Sequence, residues 1–200
     1  MSSETRLAVA FPVLSTALGL LRRSAAGVGA DRLDDPTPCS AWTVAQVLFH
    51  AAGDQHGWAS VVADGPLPSY DPFDPPRRLD TAVDEIVGVA VRVATTAWAT
   101  VDPAAEAVRT PLPPVPTMTA ALAAASCALD AAIHAWDVAV ATGQSCPLTA
   151  ELADQLMPAA RATADPLRGF AYMSALPTRA TDDAAAALLR YLGRDPDWAG

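Results

Sequence analysis

The 200 residues carry 13 arginines and no lysine against 22 acidic residues, a net charge of −9. The missing lysine excludes Schiff-base amines and the phosphate-loop lysine. The acidic excess, with only Arg22-Arg23 and Arg77-Arg78 as adjacent cations, makes nucleic acid an unexpected partner.

With 52% hydrophobic residues the chain can bury a real core, and its length fits a single domain over residues 1–200. Glu4 and Arg6 interrupt the first residues, so no signal peptide is read there. Apolar positions then recur at helical spacing from about Thr5 to Ala26, with Pro12 expected to kink that helix or mark where its regular part begins. Turn chemistry from Asp34 to Ser40 precedes Thr43-Val44-Ala45-Gln46, a capping box that opens a second helix with His50 about two turns in.

Residues 65–76, GPLPSYDPFDPP, are too rich in proline for a regular element and long enough for a functional loop or lid. A third helix is expected from about Leu79 to Val101. A second proline-rich connection, TPLPPVPT, leads to a cap at Thr117 or Thr119. The fourth helix runs to about Thr142 and stops at Gly143. Its apolar stretch contains Asp130, His134 and Asp137, which reads as a buried helix rather than a membrane span. Thr149 caps a further helix to about Ala164, and Thr181-Asp182-Asp183 starts a last one ending at Gly193. No alternation marks a strand, so the fold expected is an all-α, antiparallel four-helix bundle with additional C-terminal helices.

Asp130, His134 and Asp137 stand at offsets of zero, four and seven on the fourth helix and share one face, otherwise alanine, valine and leucine. Charges on an apolar face need partners. A divalent metal would serve, with His50 of the second helix as the further imidazole and one position left open. Spacing alone fits an ordinary buried Asp-His pair as well or better, and Asp137 reads more readily as a partner of the histidine than as a ligand.

Three stretches, PTPCSAWTVAQVLFHAAG at 36–53, DAAIHAWDVAVATG at 130–143 and YLGRDPDW at 191–198, resemble the actinobacterial family related to the N-terminal domain of mycothiol-dependent maleylpyruvate isomerase, within the DinB-like metal-binding bundles. The resemblance implies that His50, Asp130 and His134 bind a divalent metal, expected to be zinc. The isomerase itself carries glutamate in place of Asp130. It further implies mycothiol, bound through sulfur, as the nucleophile toward a small electrophilic substrate, in an S-transferase or a thiol-assisted isomerase. The isomerase resembles a two-domain protein, and a counterpart of its second domain is not expected here. A thiol-independent hydrolase or cyclase, or a non-catalytic metal or ligand binder, would use the same site.

Among other residues, Asp54 lies at offset four from His50 and could orient it or act on a proton, although a surface aspartate is the plainer reading. His56, about 120° around the helix, is expected at the surface or rim. Cys127 is a conceivable fourth ligand or a small buried residue, and Cys39 a packing residue. Tryptophan at helical spacing is more often core than substrate platform, with Trp58 and Trp136 the two to examine near the pocket, and Arg77 and Arg78 could meet a carboxylate, although solvated surface arginine is the default. Three widely spaced cysteines suit a reducing cytoplasm. The protein is expected there as a monomer or homodimer, with no membrane partner.

Overall fold

In the computed structural model, which describes residues 1–200, the first amphipathic stretch is two helices. α1 (Ser3–Ala10) is capped by the Ser2 side chain, and α2 (Pro12–Ala26) begins on Pro12 itself. Phe11, at φ −138° and ψ 69°, turns the chain between them. A proline at the first helical position removes an amide that would have no partner there, so Pro12 starts a helix rather than kinking one.

α3 (Val44–Ala63) opens on the reciprocal capping box of Thr43 and Gln46. α4 (Val83–Trp98) is shorter than the expected span at both ends, with its first turn carrying Asp84 and Glu85. The second proline-rich connection is where the sequence reading fails. It folds into a short antiparallel ladder, β1 (Val108–Arg109) on β2 (Thr117–Met118), pairing Val108 with Met118 and Arg109 with Thr117. Strands of two residues are too short to show alternation. Thr117 therefore belongs to the ladder, and Thr119 caps α5 (Ala120–Ala141). Gly143, at φ 72°, takes the left-handed conformation just beyond α5, as a helix stop requires. α6 (Ala150–Thr163) is capped by Thr149 and α7 (Ala184–Tyr191) by Asp183.

α5 is the central element: α2, α3 and α6 all pack on it, α4 packs on α3, and α7 packs on α6. Buried Ala123, Ala124, Ala128, Ala131, Ala132 and Ala135 give it a smooth surface that lets neighbours approach closely. It is long and apolar enough to cross a membrane, but most of that stretch is buried within the protein, as for a core helix. The architecture is thus an all-α bundle of α2 to α5 extended by α6 and α7, and its interior brings the polar face of α5 against α3.

Candidate metal centre

His50 on α3 and Asp130 and His134 on α5 come together. One ligand atom from each lies within 4.8 Å of the others. The two imidazole rings meet edge to face, with centroids 4.9 Å apart. Both histidines are buried, with exposures of 8% and 7%.

Which nitrogen of each ring faces inward follows from what holds the other. His50 Nδ1 is 2.7 Å from the Pro72 carbonyl oxygen, and His134 Nδ1 is 3.0 Å from Asp137 Oδ2. A carbonyl and a carboxylate can only accept, so both Nδ1 atoms donate and both Nε2 atoms face the cluster. His50 Nε2 lies 3.4 Å from Asp54 Oδ2, and His134 Nε2 lies 3.4 Å from Asp130 Oδ1. Burial, aided by the neighbouring His134, pulls the His50 pKa down to about 4, which leaves its Nε2 lone pair free at neutral pH. Burial also opposes charge on His134, but Asp130 and Asp137 override it and raise its pKa well above the ordinary value. In the metal-free protein the two carboxylates therefore favour the imidazolium form of His134.

Asp130 is fixed from behind. Gln55 Nε2 donates to its Oδ2 at 3.1 Å, and the buried Cys127 thiol donates to Gln55 Oε1 at 3.1 Å. Burial pushes the Cys127 pKa well up, so this sulfur is a neutral thiol turned toward Gln55, outside the ligand cluster. Asp54 faces the cluster rather than open solvent. Burial, with Asp130 beside it, raises its carboxyl well above the usual range, while His134 outweighs burial at Asp130 and lowers that one. The two carboxyls thus differ in kind: their surroundings favour the ionised form of Asp130 and the protonated form of Asp54.

Behind His134, Asp137 is fully buried and grips Arg194, whose Nε and Nη2 both lie 2.9 Å from its carboxylate oxygens. Burial works against charge on both groups, but each stabilises the other, holding the carboxyl well below its usual range and the guanidinium above its own. Cys39 Sγ is 3.2 Å from Asp137 Oδ2 and 3.5 Å from Arg194 Nη2. Cys39, His134 and Asp137 form a second tight cluster. The guanidinium already occupies the charge of that cluster, so the first one is the better cation site.

Several expectations need correction. His56 is buried, 8% exposed, with Nδ1 donating to the Pro66 carbonyl at 2.7 Å, because the 65–76 loop covers it. Trp58 packs on Trp98 in the core, whereas Trp42, just ahead of α3, stacks on His50 with centroids 4.5 Å apart. Arg78 pairs with Asp34 at 2.6 Å and Arg77 is exposed. Sequence reasoning also missed Gln55 and Arg194. Arg194 lies within the YLGRDPDW stretch, but nothing in that stretch names its partner.

The donor set of two neutral-capable imidazoles and one carboxylate, with tautomers already fixed, fits a divalent ion that prefers nitrogen and oxygen ligands. The model of the mycothiol maleylpyruvate isomerase N-terminal domain matches residues 14–139, a span that contains His50, Asp130, His134 and Asp137. The chain belongs to this family. Uncharacterized proteins of Mycobacterium tuberculosis, strains CDC 1551 / Oshkosh and ATCC 25618 / H37Rv, are each 36% identical over 144 residues, covering 70% of this chain and 71% of theirs. The crystal structure of the mycothiol-dependent maleylpyruvate isomerase superposes with a TM-score of 0.63 at 15% identity, over 98% of this chain and 91% of that one. A mutant of that enzyme with one histidine changed to alanine gives 0.51 at 15% identity, over 86% and 72%. At this identity the likeness is one of fold. The family model's match ends at residue 139, before Arg194, which supports the site from the C-terminal YLGRDPDW stretch.

Proposed function

We propose that the chain is a cytoplasmic, metal-dependent enzyme that uses mycothiol, an S-transferase or thiol-assisted isomerase acting on a small electrophile. The observation that carries this is the pair of fixed tautomers. Pro72 and Asp137 take the Nδ1 protons and aim two Nε2 atoms, with Asp130, at one place. His50, Asp130 and His134 would hold the ion, and zinc suits the donors. A divalent ion there supplies Lewis acidity that favours the thiolate form of a bound thiol at neutral pH.

The protein's own residues do the rest. Gln55 and Asp137 keep Asp130 and His134 in register. Asp54, 3.4 Å from His50 Nε2, is placed to hold or pass a proton at its Oδ2. Trp42 packs against the His50 ring and covers that side of it. A thiolate formed beside these groups would attack an electrophilic carbon; loss of a leaving group makes the reaction a transfer, and rotation followed by elimination of the thiol makes it an isomerisation.

Metal analysis of the purified protein, followed by calorimetric titration with mycothiol, tests the reading. Stoichiometric zinc and saturable mycothiol binding are expected, with zinc lost in His134→Ala. Protein that holds no metal overturns the proposal. Metal without thiol binding points instead to a hydrolase or a non-catalytic binder on the same site.

A further inference from the structure

Two largely irregular segments meet beside His50. The first, residues 65–82, is pinned onto α3: besides the His50 bond to the Pro72 carbonyl, the Tyr70 hydroxyl donates to the Phe49 carbonyl at 2.8 Å and Gln46 Nε2 to the Pro75 carbonyl at 2.9 Å. A Cβ on Gly53 would lie 2.3 Å from Pro72 Cβ, so α3 is bare where the segment crosses it. The next residue, Phe73, is thereby held with its ring centroid 5.9 Å from that of His50. The second segment, residues 164–183 between α6 and α7, brings the Phe170 ring to 5.8 Å from Phe73.

Both rings stay open to solvent, 58% and 71% exposed. Seven large hydrophobic side chains are exposed in the whole protein, and Leu67, Phe73, Phe170 and Met173 fall on these two segments. Apolar surface left uncovered and gathered at the edge of a polar cluster marks a ligand contact. Behind the site Arg194 is held by Asp137, and on the two segments Arg168 is held by Asp165 and the carbonyls of Met173 and Tyr191, Arg78 by Asp34 and Arg179 by Asp197, while Arg77 is exposed. Beside the two histidines stand the carboxyls of Asp54 and Asp130, with the Asp137 carboxylate behind His134. A small dianion approaching His50 past these rings would meet aromatic faces and acidic groups.

We infer that Phe73 and Phe170 form an aromatic lip that selects electrophiles with a planar, apolar body over small charged ones. The inference rests on the metal reading above, and it is tested with probes that need neither the substrate nor the thiol. Hydroxamates chelate divalent ions, so zinc-loaded protein is titrated with acetohydroxamate, benzohydroxamate and succinic monohydroxamate. Benzohydroxamate should bind about tenfold tighter than acetohydroxamate, as one favourable ring contact provides. The succinic probe should gain nothing from its carboxylate. Phe73→Ala and Phe170→Ala should each erase most of the aryl preference while zinc content and acetohydroxamate affinity stay unchanged. Phe170 meets the His50 strap at the Phe73 ring but takes part in none of the hydrogen bonds that pin it to α3, so its variant leaves those anchors in place. Equal affinity for the three probes, a preference that survives both substitutions, or tighter binding of the succinic probe overturns the lip. Protein that takes up no zinc overturns the metal reading and the lip together, whereas zinc-loaded protein without aryl preference overturns the lip alone.

Discussion

His134 is held between two carboxylates with different duties. Asp130 faces Nε2, where a cation would bind, and Asp137 holds Nδ1 in place with its own charge balanced by Arg194. Asp137→Asn keeps an oxygen for Nδ1–H but removes the negative charge, so zinc affinity should fall about 10- to 100-fold, read by competition with a chelator. Protonation sets a second expectation. His134 has a folded-state pKa above its unfolded value, so in metal-free protein its contribution is fully present below about pH 6.5 and is lost as pH rises through the higher folded value. His50 acts in the opposite sense: with a folded value of about 4, its neutral form is favoured above pH 6.5, and stability is lost as pH falls toward 4. The histidine contributions to the Tm of chelator-treated protein should therefore decline on both sides of neutrality. A divalent ion bound as proposed would displace the Nε2 proton of His134, so binding should tighten with rising pH and release a proton, measured by calorimetry in buffers of different ionisation enthalpy. A pH-independent affinity would contradict the assignment.

At the scale of elements, the strap over α3 links backbone geometry to the site. Gly53→Ala puts a methyl group where Pro72 lies, and the neighbour is a rigid ring rather than a flexible side-chain end. The strap should lift, with faster proteolysis between residues 65 and 82 and weaker zinc binding through the freed His50, while the helix content measured by circular dichroism stays the same. The elements themselves were largely legible because their signals are local. Thr43, Thr119, Thr149 and Asp183 cap the helices they announce, and the offsets of Asp130, His134 and Asp137 place all three on one face. What was illegible depends on contacts distant in sequence: the Pro72 carbonyl on His50, Arg194 on Asp137, and the burial of His56 beneath the 65–76 loop. Trp42 sits beside His50 because the turn ahead of α3 folds back, with the Thr37 hydroxyl 2.9 Å from the Trp42 carbonyl. No periodicity encodes that.

For the whole molecule, α5 can be the central helix because neighbours cover it on several sides, α6 among them. Removing residues 144–200 would uncover its apolar surface and leave Asp137 without Arg194. That fragment should bind hydrophobic dyes and lose cooperative melting. The smaller change Arg194→Ala isolates the electrostatic part. Stranding a fully buried carboxylate should cost about 3–5 kcal/mol, seen as a lower denaturation midpoint without a changed denaturant slope.

The Arg194 to Asp137 grip also fixes an order of assembly. Translation delivers His50 first, then Asp130, His134 and Asp137, and Arg194 after all of them. Until that arginine leaves the ribosome, the nascent bundle holds its ligands without the counter-charge that steadies His134. On the proposed reading, an ion arriving early would meet a loose chelator and one arriving after Arg194 docks a rigid one, which would couple maturation of the centre to the emergence of Arg194.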